Sequence, residues 1–247
     1  MLLHHCTWSE VESYLGRSTG IVMPIGSTEQ HGPNGLIGTD AITAEAIARA
    51  LGDKTGALVG PTIAVGMAQH HMAFAGSMTL RPSTLIAVVR DHVVSLAKHG
   101  FRRFYFVNGH GGNIASVTAA FSEVYAEASL GPSGNAPALR CKLMNWWMAK
   151  GIGTLSKELF GDREGSHATP SEVAVTQFLH PETIKRARID GPAPKGEFHD
   201  ADDYRRRFPD GRIGSDPSLA TPELGKRIFD CAVAGLVEDY GAFVAEG

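Results

Sequence analysis

The chain has 247 residues, 43% of them hydrophobic and 20% charged, which is enough to bury a sizeable core in one large domain. A formal net charge of -3 with no basic cluster argues against a nucleic-acid partner. No apolar run approaches the length of a membrane span, and the N-terminus lacks the basic and apolar regions of a signal peptide, so the expectation is a cytoplasmic protein with no membrane partner.

Taken in order, Thr7-Trp8-Ser9-Glu10-Val11-Glu12 reads as a helix start capped by Thr7 or Ser9. A strand is expected at about 20–25, followed by the loop from Gly26 to Asp40 and an amphipathic helix over 41–52 that Asp40 would cap. Residues 57–61 and 63–65 give a second strand, which enters the loop Gly66-Met67-Ala68-Gln69-His70-His71. Pro82 opens a helix to about His99, with apolar residues at 85, 86, 88, 89, 93, 94, 96 and 97. Arg103-Phe104-Tyr105-Phe106-Val107 is the strongest strand signal; it ends in Asn108-Gly109-His110-Gly111-Gly112-Asn113, and a helix runs on to about 130. A break rich in Gly, Pro, Ser and Asn at 131–137 precedes a strand at 138–144, and a polar loop then reaches His167. Thr169-Pro170-Ser171-Glu172 starts another helix, 187–220 reads as irregular, and Thr221-Pro222-Glu223 caps a last helix to about 244. The basic run Arg205-Arg206-Arg207 lies among Asp202, Asp203 and Asp210 and reads as self-compensated. Cys141 and Cys231 sit among apolar residues and read as buried thiols; with Cys6 they are too far apart for a metal-type spacing.

Strands alternate with helices and no repeat or linker interrupts them. The expected fold is α/β: a single domain with a central, mostly parallel sheet covered by helices on both faces. In such a sheet the loops after the strands gather at one edge, so 26–40, 66–77, 108–113 and 146–168 should meet in one crevice.

That crevice would hold Glu29, His31, Asp40, His70, His71, His110, Glu164, His167 and Glu172. Glu29 and His31, two residues apart on an extended segment, point the same way. The turn around His110 lacks the ending of a nucleotide P-loop and is not a dinucleotide fingerprint, so a histidine held between glycines there reads as an exposed ligand. Carboxylates and imidazoles converging in this way suit two divalent ions, Zn before Mn or Fe(II), about 3.5–4 Å apart and sharing a carboxylate and a water. Asp40 is the natural bridge, with Glu29 and His110 on one ion and His31 on the other. For Glu172 two roles stand open: the fourth residue of a capping box, or a ligand that also serves as acid or base beside His167. No G-x-S-x-G motif supports a serine nucleophile, and Ser77 and Ser166 read by default as loop serines. Trp146 and Trp147 end a strand and either pack or wall the pocket, which one of His70 and His71 would line.

Gly26-Ser27-Thr28-Glu29-Gln30-His31-Gly32-Pro33 with Gly38-Thr39-Asp40 resembles the creatininase (creatinine amidohydrolase) family. His70-His71-Met72 with Gly76-Ser77-Met78-Thr79-Leu80-Arg81-Pro82 resembles its second signature and Asn108–Asn113 its third. His167-Ala168 with Glu172 resembles the fourth, and Asp216-Pro217 through Glu223 the C-terminal segment. The resemblance implies a two-metal amidohydrolase and a homo-oligomer, trimeric or hexameric. It implies that Glu29, His31, Asp40 and His110 are metal ligands, with Asp40 bridging, and that His167 handles substrate or proton transfer. Two departures stand out. True creatininases carry Tyr-Glu after the motif histidine, and that glutamate is a ligand; Gly111-Gly112 stands here, which makes Glu172 the candidate replacement. They also place Trp and Asp shortly before the fourth histidine, where Arg163 and Glu164 stand here, pointing to an anionic small-molecule substrate rather than creatinine. His70, Ser77, Gly111 and Arg163 are the expected substrate contacts, and His167 and Glu172 the catalytic pair. The expectation is a hydrolase of a non-peptide or cyclic C–N bond; its rivals are a C–O hydrolase of a lactone or sugar acid, and a small-anion binder without turnover.

Overall fold

The computed structural model describes residues 1–131 and 138–245. Four strands, β1 (Gly20–Ile25), β2 (Leu58–Val59), β3 (Arg103–Asn108) and β4 (Arg140–Asn145), form one parallel sheet in the order β2-β1-β3-β4. Eight helices accompany them among the described residues: α1 (Trp8–Leu15), α2 (Thr39–Thr55), α3 (Pro82–His99), α4 (Asn113–Leu130), α5 (Ile152–Phe160), α6 (Pro170–Leu179), α7 (Ala201–Arg207) and α8 (Pro222–Ala245).

Side-chain alternation along the strands sorts the helices into two layers. Ile21, Met23 and Ile25 with Phe104 and Phe106 pack on α1, α3 and α4, whereas Val22, Tyr105 and Val107 pack on α2, α5, α6 and α8. Both faces of β1 are therefore buried, which is why it reads as an unbroken apolar run. The chain leaves β1 through α2 to reach β2 on one side, then returns through α3 to β3 on the other side of β1. The switch point thus lies between β1 and β3, where α/β sheets open a crevice. The register sets Ile25 beside Asn108 and Asn108 beside Asn145, so the loops that follow leave from one edge.

The strands and long helices fall close to where the sequence puts them, and four expectations need correction. Helix α2 begins at Thr39 with Gly38 in the cap position, so Asp40 lies inside the first turn and its carboxylate is free to face other groups. The stretch 146–168 is not a plain loop, since α5 occupies its middle and buries Ile152 and Phe160. Helix α7 interrupts 187–220; Asp200 caps it and Asp203 takes Arg206 and Arg207, which accounts for the compensated basic run. Cys141 and Cys231 are only partly buried. The break at 131–137 lies, apart from Gly131, outside the described residues.

Candidate metal centre

The β1 and β3 loops and the start of α2 meet backbone to backbone. A Cβ on Gly109 would lie 2.1 Å from the Asp40 carbonyl oxygen, and one on Gly26 would lie 2.4 Å from the Ala41 nitrogen. Only glycine permits either approach. Asn113 ties the junction together: its Nδ2 donates to the Gly26 carbonyl at 2.9 Å, and its Oδ1 accepts from the Met67 amide at 3.0 Å.

On this platform Asp40 stands between two histidines. Its Oδ1 is 3.0 Å from His31 Nε2 and its Oδ2 is 3.2 Å from His110 Nδ1. Glu29 Oε1 lies 3.2 Å from both His110 Nδ1 and His71 Nε2, while its Oε2 accepts from Ser27 at 2.9 Å. Glu172 caps α6 with one oxygen and leaves the other facing the cluster. Its Oε1 accepts from the Thr169 amide at 2.5 Å, completing a capping box, and its Oε2 lies 3.9 Å from His31 Nε2. Gly112 has no room for a further side chain, because a Cβ there would lie 2.3 Å from His110 Nε2.

Each histidine at the centre is anchored through one ring nitrogen. His31 Nδ1 donates to the Glu29 carbonyl (3.1 Å) and His110 Nε2 to the Met67 carbonyl (3.0 Å), while His167 Nε2 lies between the Gln30 carbonyl (2.9 Å) and the Gln30 side-chain Nε2 (2.8 Å); the other nitrogen of each faces the carboxylates. Burial opposes charge on His31, but Asp40 and Glu172 lift it to about 10. Burial likewise opposes charge on His110, and Glu29 and Asp40 push it well above the usual range. These are the protons that a divalent ion displaces. Burial alone would raise the Glu29 carboxyl, yet His110 and His71 hold it well below the carboxylate range. Burial dominates for Glu172, pushed up to about 7 against the pull of His31. Burial, His71 and His31 hold His167 well below the usual histidine range, so its imidazole is neutral.

The donor set fits a divalent metal. Glu29 Oε1 and Asp40 Oδ2 are buried without a well-aligned hydrogen bond and face only the imidazoles 3.2 Å away, a place where a divalent ion would satisfy both carboxylates as it displaces the histidine protons. Two groups share Asp40, namely Glu29–Asp40–His110 and His31–Asp40–Glu172, each with its ligand atoms within 4.8 Å of one another. A third combination joins Glu29, His31 and His167.

Two cavities open on this cluster. One, of about 550 Å³, is lined by Trp146, Trp147, α5, Glu164 and Glu172; the other, of about 630 Å³, is lined by His70, His71, Phe198 and Tyr204. His110, Gly111, Ser166 and His167 line both. His70 stacks on Phe198 with ring centroids 4.8 Å apart, and burial with the neighbouring His71 lowers it to about 4. A side chain at Gly111 would project into open space.

Two of the expected substrate contacts stand apart from these cavities. Ser77 is buried behind the β1 loop, where its hydroxyl accepts from the Gln30 amide at 3.1 Å. Arg163 faces outward, 3.5 Å from Asp216, in a separate hollow with Lys195 and Arg212. The reading from sequence also passes over Gln30, whose Nε2 lies 2.9 Å from His71 Nδ1 and 3.2 Å from the Gly211 carbonyl, fixing the His71 ring from behind. A polar residue between two ligand candidates was the available signal.

Comparison with known proteins shows the family. The family model described as "Creatininase: Creatinine amidohydrolase" matches residues 4–240. A mycofactocin precursor peptide peptidase from Mycobacterium ulcerans is 31% identical over 235 residues, covering 89% of this chain and 82% of that one. The creatinine amidohydrolase of Pseudomonas putida is 26% identical over 245 residues, covering 94% and 93%. Among solved structures, a manganese creatininase superposes with a TM-score of 0.87 at 22% identity, covering 98% of each chain, and a mutant creatininase of Zn-Zn type does so at 0.86 and 22%, again covering 98% of each. The likeness to those structures shows a shared fold, while the family model spans nearly the whole chain. The chain belongs to the creatininase family of hydrolases.

Proposed function

We propose that the chain hydrolyses an amide-type C–N bond of a small molecule, using two divalent ions held by Glu29, His31, Asp40, His110 and Glu172. The observation that carries the reading is Asp40, which offers one oxygen to each of two carboxylate–histidine groups. Glu29, Asp40 and His110 would hold one ion, and His31, Asp40 and Glu172 the other. Oxygen and imidazole donors suit Zn, with Mn or Fe(II) as alternatives. Bound there, such ions polarise a carbonyl and lower the pKa of water. The protein's own part lies in positioning and proton transfer. Gly111 leaves the approach open between the two cavities, and Trp146 and Trp147 wall one side against solvent. In the tautomer that donates from Nε2 to the Gln30 carbonyl, neutral His167 presents its Nδ1 lone pair toward the cluster, where it would take a proton from the attacking water and pass it to the leaving nitrogen. Glu172 combines support for His31 with the start of α6.

The finer form of the reading restricts the bond to non-peptide or cyclic amides. The relative from Mycobacterium ulcerans, a precursor peptide peptidase, makes short peptides the first control, and a 27% identical relative from Thermotoga maritima, a 3-dehydro-scyllo-inosose hydrolase, adds inosose-type compounds; lactones test the C–O alternative. The test is metal content per subunit of parent and Glu172→Ala protein purified without chelator, with turnover measured on cyclic amides, N-acyl amides, short peptides and lactones. The expected result is about two ions in the parent, about one in the variant, and amide turnover that chelator removes and Zn or Mn restores. Two ions in both proteins would return Glu172 to its capping role alone. No stoichiometric metal and no turnover would reject the hydrolase reading in favour of a binder.

A further inference from the structure

The two cavities meet at His110, Gly111, Ser166 and His167, so a substrate at the cluster has room on both sides of the bond to be broken. Their walls differ in chemistry. The Phe198 side is lined by rings, aliphatic side chains and small residues, without lysine, arginine, aspartate or glutamate. The opposite cavity has α5 as a wall, and Lys157 on that helix is the sole lysine or arginine in its lining. Lys157 is exposed at the edge of this cavity, and among the described residues it forms no ion pair and no side-chain hydrogen bond, as is also true of Lys54, Lys98, Lys185 and Lys195.

Beside it stand two buried groups whose donors go unused. Ser156 Oγ and Trp146 Nε1 have no hydrogen-bond partner and almost no accessible surface of their own, although both residues, 7% and 1% exposed, line this cavity. A buried donor left unmet is costly, and a partner arriving with the ligand would offset that cost. Both can donate. A cation and two idle donors around one cavity are the complement of an oxyanion. The remaining acid there, Glu164, accepts from Ser171 through Oε1 and leaves Oε2 without a partner. Burial pushes its carboxyl up to about 7, so near neutrality it carries a proton for much of the time and can donate as well. Two divalent ions would bring four positive charges against the three carboxylates Glu29, Asp40 and Glu172, so the loaded cluster does not repel an anion.

We infer that the α5 cavity binds a carboxylate carried by the substrate on one side of the scissile bond, read by Lys157 with the Ser156 and Trp146 donors. The inference rests on the proposed hydrolase site for the position of that bond, while the anion subsite itself can be tested without turnover. It takes over the role that the sequence suggested for Arg163, on a side chain that lines the cavity.

The probes are N-acetylglycine and N-acetylglycinamide, which differ only in the carboxylate, titrated by calorimetry into zinc-loaded parent, Lys157→Met, Lys157→Arg and Ser156→Ala proteins. The parent should prefer the acid by about tenfold, the scale of one charge-assisted hydrogen bond. Lys157→Met should abolish the preference, Lys157→Arg should retain it, and Ser156→Ala should reduce it severalfold. A preference that survives in Lys157→Met would place the carboxylate on the cluster's cations and overturn the inference, as would a parent with no preference. Preference for the acid without turnover of any amide would reject the hydrolase reading alone; turnover without the preference would reject the subsite alone.

Discussion

Glu164 shows how much one buried carboxyl can govern. It lies in the cavity wall with one oxygen accepting from Ser171 and the other unmet, and burial raises it from 4.5 to about 7. The folded chain therefore holds this proton more tightly than the unfolded chain, so the stabilisation is complete below about 4.5 and is lost as pH rises through about 7. Glu164→Gln keeps an acceptor for Ser171 and removes the charge. In denaturant unfolding across pH 5 to 8, the variant should lose less stability than the parent and exceed it by about 1–2 kcal/mol at the alkaline end, a figure discounted because the group borders an open cavity. Parallel stability profiles would show that the carboxylate is well solvated. At this scale the sequence announced the residues whose neighbours in the chain share their work. Glu29, His31 and Asp40 fall within one loop, and His110 stands alone between glycines. Gln30, Lys157 and the outward turn of Arg163 were not legible, because each depends on a partner far along the chain. Gln30 meets Gly211, Arg163 meets Asp216, and Lys157 is defined by the cavity it lines.

Helix α6 shows how an element can serve a site and its own stability at once. Thr169 and Glu172 form a reciprocal capping box, Pro170 takes the first helical position, and the spare oxygen of Glu172 faces His31. Thr169→Val removes the hydroxyl that accepts from the Glu172 amide and should cost about 1 kcal/mol in denaturant unfolding. Because it also loosens the backbone that aims Glu172, the affinity for Zn at the proposed site should fall several-fold, read by chelator competition. A loss of stability with unchanged metal affinity would separate the two functions. Elements with a strong period were legible: β1 and β3 as apolar runs, α3 as a stripe between Pro82 and a glycine at 100. Helix α5 does carry an apolar stripe at helical spacing, Ile152, Leu155, Leu159 and Phe160, but was hidden because it is only nine residues long and starts between Gly151 and Gly153. Helix α7 was hidden because a seven-residue helix buries only Asp203 and Tyr204 and shows no period. Tertiary packing and one cap, more than propensity, hold those two in place.

For the whole molecule, alternation of strand and helix was enough to anticipate the layered sheet and the gathering of loops at one edge. It did not fix the strand order, which places β3 against β1 only after β2 has taken the other side. That order has a consequence in time. The carboxylates and imidazoles of the cluster come from positions 29, 31, 40, 110 and 172, and His110 reaches Asp40 only when β1 and β3 have paired across the intervening chain. Parallel pairing of this kind closes long loops before contacts repay them, so the centre is a late product of folding. An ion that recognises only the finished arrangement then acts on the way out rather than on the way in. In stopped-flow experiments a chelator should raise the unfolding rate by about tenfold or more while leaving the refolding rate nearly unchanged. Equal shifts in both rates would mean that the cluster is already assembled at the barrier. On this account the site works as a latch for the sheet: it closes last and, once loaded, sets how long the folded chain persists.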